Sequence, residues 1–337
     1  MSEKMMGGSP TPEQKKFGAE ATYEELEAGI PEVAAMKGFD QRSDYHSLTL
    51  DKHTKKLGSN LEADEFVKGL PEKQRNLLLL AGKTHDLGKA SPDGQQVHPK
   101  DSEKRQYVGH EGESERMLRE LLPKHFELST EEIDFVAKMA GLHVAALNLV
   151  NNFVREKEPK GKSLKSYDKF VALAEEIPGN MELLEKMRMI FALNRADKGA
   201  GYNEDSDMDD PKVQEIKKRA DEEIAALGEL EKALPALLGA IQGRRAGDQT
   251  AGIVFKDGEY VYEKPEAQAD KKVEVPLELK KLSGVLRDKT MAVAEIYPNL
   301  LKLKDNERAL QGIVNGQLKN KIGLTDEQVE AVLGTLK

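Results

Sequence analysis

Six side chains stand out for the chemistry they could do together: His53, the adjacent pair His85 and Asp86, His110, His143 and Asp197. Imidazole and carboxylate are ligands for first-row divalent ions such as Mn, Fe, Co, Ni or Zn, whereas Mg favours a richer oxygen set. The chain has no cysteine, so any metal must be held by His, Asp or Glu, and neither a thiolate site nor a disulfide-linked partner is available. Two ions bridged by a shared aspartate would convert a water to hydroxide at neutral pH and clamp both oxygens of a displacement. Lys89 lies one helical turn beyond His85, within reach of a phosphate oxygen that meets such ions, and joins Asp86 as a catalytic candidate. Its plainer use would be to complement a helix C-terminus. His46 and Arg195 are, with Lys89, the candidates for substrate contact, while His98 and His125 read as surface residues.

Each candidate ligand terminates or interrupts a segment whose apolar face should enter a common core. Leu77-Leu-Leu-Leu-Ala-Gly-Lys-Thr reads as a buried helix, opened by Pro71, that delivers His85 and Asp86 to its C-terminal end. Gly88 and Ser91-Pro92-Asp93-Gly94 should close it. Leu50, His53 and Leu57, then Leu61, Phe66 and Leu70, suggest two short helices, with His46 and His53 on one side if the first is continuous. Pro92 to Val108 is too charged and too rich in Gly and Pro for a regular element and is expected to be a loop, a lid or a substrate rim. Gly109-His110-Glu111 leads into an amphipathic helix that Pro123 should end. Ser129-Thr-Glu-Glu132 has the form of a capping box and opens a helix expected to contain His143. Arg155 to Ser166 reads as a surface insertion, and a further helix, about Met181 to Arg195, ends near Asp197.

Composition sets wider bounds. The 337 residues are enough for one large domain or two ordinary ones, and 33% charged residues with only 5% aromatics point to well-solvated helices. A formal charge of −9 gives no global attraction for nucleic acid, so such a substrate would have to be caught at a locally basic site. No apolar run approaches the roughly 20 residues of a membrane helix and no signal pattern opens the chain, so a cytoplasmic protein without a membrane partner is expected. Residues 1–40 read as an N-terminal arm, loose to about residue 20 and then with a short helix from Tyr23 that Gly29 and Pro31 interrupt, and 41–202 as the domain carrying the candidate ligands. The acidic stretch Asn203 to Pro211 is the expected boundary with a mainly helical region, 203–337, of unassigned role. Within that region Ile253-Val-Phe and Tyr260-Val-Tyr flank Asp257-Gly258 and predict a β-hairpin. Val213 to Leu238, Leu277 to about Leu303, Asn306 to Lys319 and a segment capped by Thr325 read as helices, which offer a surface for homo-oligomer formation.

The motifs Leu-Asp51-Lys-His53-Thr, His85-Asp86-Leu-Gly-Lys89, Gly109-His110-Glu111 and Arg195-Ala-Asp197, in that order, resemble those of the HD-domain metal-dependent phosphohydrolases. The resemblance covers roughly Tyr45 to Gly201 and looks closest to the HD domain that accompanies bacterial tRNA nucleotidyltransferases. It implies an all-α fold, an HD-domain helical bundle, with His53, His85, Asp86 and Asp197 as the core metal set. His110 and His143 match the extra ligands of members with two metals. Departures from relatives are informative as well. No Gly-Gly-x-Val-Arg-Asp-like segment of a nucleotidyltransferase head is found, Val144-Ala-Ala-Leu replaces the Gly-Tyr-Pro signature of cyclic di-GMP phosphodiesterases, and Leu87-Gly88-Lys89-Ala90 replaces the acidic pair of (p)ppGpp hydrolases.

The resulting expectation is a phosphodiesterase or phosphatase that cleaves a phosphoester of a nucleotide or RNA end through water activated by one or two divalent ions (Mn, Fe, Co, Ni, Mg or Zn). A different class is a non-catalytic module that senses a nucleotide and engages a partner. Retention of every ligand type counts against it, since a sensor has no need of an activated hydroxide. A di-iron oxygenase, as in a few relatives of the fold, is the third reading.

Overall fold

A computed structural model describes residues 16–155, 162–202, 209–246, 252–256, 259–263, 276–286, 289–303, 310–311 and 313–336. The fold is all-α, with two small antiparallel hairpins, and divides into two compact units, Met1–Lys264 and Pro265–Lys337. The first unit runs α1 (Tyr23–Gly29), α2 (Pro31–Ala34), α3 (Leu50–Ala63), α4 (Glu65–Lys68), α5 (Glu72–Thr84) and α6 (Leu87–Ala90). It continues through β1 (Gln96–His98), β2 (Asp101–Gln106), α7 (His110–His125), α8 (Thr130–Gly141), α9 (Ala145–Arg155), α10 (Lys162–Glu175) and α11 (Leu183–Gly199). The long α12 (Pro211–Arg245) and a second hairpin, β3 (Gly252–Lys256) and β4 (Glu259–Glu263), complete it.

Burial explains the arrangement. In α3, Leu50, His53, Thr54, Leu57 and Leu61 share a buried face at helical spacing. Leu77 to Gly82 of α5 are buried on every side, the mark of a central helix, and α11 is nearly as enclosed from Met187 to Asp197. These helices pack together, so the residues at their ends and on their shared faces meet inside the bundle.

Several local expectations change. The described part of the arm is not loose: Phe17 N donates to His125 O and Glu127 N to Phe17 O, both at 2.8 Å, and Leu26, Ile30, Val33 and Met36 enter the core. Pro123 does not end α7, which continues to His125 although a proline there gives up the amide bond to the carbonyl of Arg119. The expected loop 92–108 contains the β1/β2 hairpin, with Val97 opposite Arg105. Lys162 already lies in α10, so the insertion is shorter than expected, and residues 156–161 lie outside the described ones. The compact units part at Lys264/Pro265 and not at 203, because α12 lies along α11 and buries Leu227, Leu230, Leu234, Leu237 and Ile241 in the same core. The hairpin β3/β4 forms with Val254 opposite Val261, while its expected turn, Asp257-Gly258, lies outside the described residues.

The second unit is helical. Helices α13 (Leu277–Lys281), α14 (Ser283–Leu286), α15 (Thr290–Leu303) and α16 (Asp326–Gly334), with a π-helical stretch Val314–Lys321, enclose Leu279, Leu286, Val293, Tyr297, Leu300 and Leu318. Thr325 caps α16 reciprocally with Gln328, and part of the expected helix from Asn306 lies outside the described residues.

The capping box of α8 is complete: Glu132 N donates to Ser129 Oγ and Ser129 N to Glu132 Oε2. Lys73 first, then the Ser129 amide, lowers the Glu132 carboxyl to about 2. Its contribution is therefore complete above about pH 4.5 and is lost as the pH falls towards about 2. Ser129→Ala is expected to cost about 1 kcal/mol at pH 7. Urea denaturation should show that cost shrinking below about pH 3, as Glu132 takes up its proton.

Candidate metal centre

His53 projects from the first turn of α3 and Asp197 from the last turn of α11, and these two helices pack together. His85 is the C-cap of α5, and Asp86 follows at φ −106°, ψ 15°, breaking the helix before α6. The break matters because neighbouring side chains in a continuous helix diverge by about 100°. Here His85 Nε2 and Asp86 Oδ2 stand 3.0 Å apart. His110 is the first residue of α7, following Gly109 at φ 83°, a left-handed turn that suits glycine. His143 is not inside a helix as expected: α8 ends at Gly141 and α9 starts at Ala145, and His143 occupies the turn. Asn194 of α11, fully buried, donates from Nδ2 to the His143 carbonyl and so ties that turn to the helix carrying Asp197.

The six residues form two groups that share Asp86. In the first, His53 Nε2 is 3.4 Å from Asp86 Oδ2 and 3.1 Å from Asp197 Oδ1, and His85 Nε2 is 3.5 Å from Asp197 Oδ1. In the second, His110 Nε2 and His143 Nε2 lie 3.2 and 3.5 Å from Asp86 Oδ1 and 3.0 Å from each other. Neighbouring ligands of one ion, each about 2.1 Å from it, would stand about 3 Å apart, so the spacing fits.

The tautomers agree with that fit. Nδ1 of His53 faces Ala200 O at 3.0 Å, and Nδ1 of His85, His110 and His143 faces the carbonyl three residues earlier at 2.8, 2.5 and 2.7 Å. A carbonyl only accepts, so each Nδ1 carries the proton and each Nε2 can direct a lone pair into the cluster. This is the outer support that metal-bound histidines require. Within the cluster, His53 Nε2, His85 Nε2 and Asp86 Oδ1 are buried without a hydrogen-bond partner. Two unprotonated Nε2 atoms at the His110 to His143 separation would repel unless a proton or cation lay between them.

Burial opposes charge on Asp86, but His85, Lys89 and the contacts with His110 and His53 hold it well below the usual carboxyl range. Burial likewise opposes ionisation of Asp197, which His53, His85 and Lys198 overcome. Burial disfavours the His85 cation too, yet Asp86 and Asp197 together raise it to about 9, whereas burial, His85 and His110 lower His143 to about 3. The first group is thus strongly anionic at its carboxylates and would exchange a proton for an ion on loading.

Lys89 is buried in α6, its Nζ 2.7 Å from Asp86 Oδ2, 3.2 Å from Gln41 Oε1 and 3.4 Å from His46 Nε2. His46 precedes α3 and is not on that helix, but its ring still meets His53 edge-on at 4.7 Å. Arg195 does not share the site. Its guanidinium pairs with Asp64 at 2.8 Å and with Glu231, so the expected substrate contact is instead a link between α11, α12 and the start of α4.

A cavity of about 700 Å³ opens onto the cluster and reaches Lys89, His110, His143 and Asp197. Its walls also carry Lys104, Arg105, Lys198 and Arg219 against Asp44 and Glu223, a local excess of cations in a chain of net charge −9. His98, expected on the surface without a role, lines this cavity from β1. Sequence reasoning also missed Gln41, whose carbonyl accepts from Tyr107 OH at 2.6 Å, and the α12 residues Arg219 and Glu223. Nothing local marks them: Arg219 and Glu223 occupy the polar side of an amphipathic helix, and only its packing along α11 brings them to the cavity.

The family model for the HD domain matches residues 44–178, a span that contains every candidate ligand except Asp197. No curated protein matches the chain, and no solved structure does. The helical fold, the two His/Asp groups able to hold a metal and this match agree on one conclusion: residues 44–178 carry an HD domain, of a family that is generally one of metal-dependent hydrolases.

Proposed function

We propose that the protein is a metal-dependent phosphohydrolase that cleaves a phosphoester of a nucleotide or an RNA end. The observation that carries this reading is the sharing of Asp86 between two buried ligand groups, one oxygen facing each, at the floor of a cation-lined cavity. In the proposal His53, His85, Asp86 and Asp197 hold one ion and Asp86, His110 and His143 a second. Bound divalent ions supply Lewis acidity, which activates water at neutral pH and offsets charge on phosphoryl oxygens. The four backbone carbonyls keep the imidazoles oriented, and the complete burial of His53, His85 and Asp86 keeps bulk water from competing for them. Lys89, held by Gln41 and Asp86 at the cavity floor, is aimed to neutralise a phosphoryl oxygen, with His46 beside it as a second contact.

A hydrolysis screen over cyclic 2′,3′-nucleotides, dinucleotides, nucleoside mono- and triphosphates, after loading with Mn, Co, Ni or Mg, tests this reading. Turnover that disappears in Asp86→Ala supports it. Protein that stays inactive with every metal and substrate class refutes it. Lys89→Met is expected to lower kcat on the order of 100-fold while leaving the metal content unchanged. Steady-state kinetics beside elemental analysis would show this, and an equal loss of metal would make Lys89 a structural partner of Asp86 alone.

A further inference from the structure

The mouth of the cavity differs in character from its floor. Tyr45 and Val108, 59% and 66% exposed, are among the few large apolar side chains exposed in the described residues, and both line this cavity. A single exposed aromatic is ordinary on a protein surface, but two exposed apolar groups at the entrance to a buried polar cluster are not explained by chance exposure alone. Tyr45 is also held in place. The Arg219 guanidinium of α12 lies 4.9 Å from the centre of its ring, and Tyr45 N donates to Ser43 Oγ at 3.1 Å. Two residues on, Ser47 N donates to Gly201 O at 2.9 Å and fixes the segment to the end of α11. The next residue after Tyr45 is His46, which touches Lys89, so the exposed ring stands one residue from the groups facing a phosphate.

An apolar rim above a cationic floor suits a ligand that is flat and apolar at one end and anionic at the other. We propose that Tyr45, braced by Arg219, is the platform on which the base of a nucleotide substrate stacks, so that the cavity selects phosphoesters bearing an aromatic ring over aliphatic ones. This rests on the phosphohydrolase reading for the identity of the anionic end. Arg219 suits the bracing role because its planar, weakly hydrated cation covers one ring face while the remainder stays open. Every base has a π-face, so a platform of this kind recognises an aromatic group without reading which base it is. The bracing residue lies outside the matched HD segment, which makes selectivity a property of the helix that follows it.

The test is calorimetric binding to the metal-loaded full chain of two ligands that lack a cleavable ester: the methylenephosphonate analogue of adenosine monophosphate, and propylphosphonate. The unaltered chain should bind the nucleoside ligand on the order of tenfold more tightly or better. Tyr45→Ala should remove that preference by weakening the nucleoside ligand, and Tyr45→Phe should keep it. Equal affinity for the two ligands, no binding of either, or equal weakening of both in Tyr45→Ala would overturn the proposal. Neither ligand can be hydrolysed, so the two readings separate. A chain that discriminates but never hydrolyses loses the phosphohydrolase reading and keeps the platform; one that hydrolyses without discriminating does the reverse.

Discussion

Asp86→Asn is expected to lower kcat/KM by at least about 10³-fold and to strip metal from both ligand groups. The substitution preserves shape and changes only charge and donor character, which isolates the argument. Asp86 Oδ2 faces His53 and His85, Oδ1 faces His110 and His143, and Asp86 itself is fully buried. An amide would turn one of these faces into a donor aimed at ligands that themselves need a cation. Stability should fall as well. His85 can release its proton when the carboxylate that sustains it is gone, but Lys89, 2.7 Å from Asp86 Oδ2, would be left as an uncompensated buried ammonium. Leaving one partner of a buried pair alone costs about 3–5 kcal/mol. The double substitution Asp86→Asn with Lys89→Met should then recover much of that stability and none of the activity. Urea denaturation and kinetics on the same preparations would check it, and recovered activity would remove Asp86 from the chemistry.

The second large effect is expected from Gly88→Ala. A Cβ at Gly88 would lie 2.3 Å from His110 O and 2.9 Å from Ser114 N, both backbone atoms that cannot swing aside. Gly88 N also donates to Ser114 Oγ at 2.9 Å, so α6 is bonded to the start of α7 there. One methyl group would have to part the two elements. Overpacking of this kind costs about 3 kcal/mol. It would also draw His110 away from Asp86, so the second ligand group should lose its ion before the first. Denaturation together with elemental analysis would show a destabilised chain depleted of one ion. A variant as stable and as metal-rich as the unaltered chain would mean that α6 and α7 are not packed as described.

The ligands were legible in the sequence because their types are scarce: seven histidines and no cysteine leave few ways to build a metal site. Their helices were legible where the apolar spacing is regular, as in α3, α5 and α11. Details that depend on where a helix breaks were not. His143 continues the three-and-four spacing of α8, yet the helix stops at Gly141, and that turn is what frees His143 to face Asp86. Gly88 looked like a terminator, but it lies inside α6, and its missing side chain serves the packing of α7. Arg195 adjoins the metal-ligand segment in sequence, but α11 turns it towards Asp64 and Glu231. The role of α12 was invisible for a different reason: which elements close a cavity is decided by long-range packing, which leaves no local pattern.

The most direct test is the number of ions the chain holds and which residues hold them. Metal-stripped full-length protein titrated with Mn²⁺ or Zn²⁺, followed by calorimetry and elemental analysis, should bind two ions per chain. One ion should remain in His143→Ala, and neither should bind tightly in Asp86→Asn. Binding no tighter than millimolar for Mn, Fe, Co, Ni and Zn alike, or a stoichiometry that Asp86→Asn leaves unchanged, would contradict a metal centre built on Asp86.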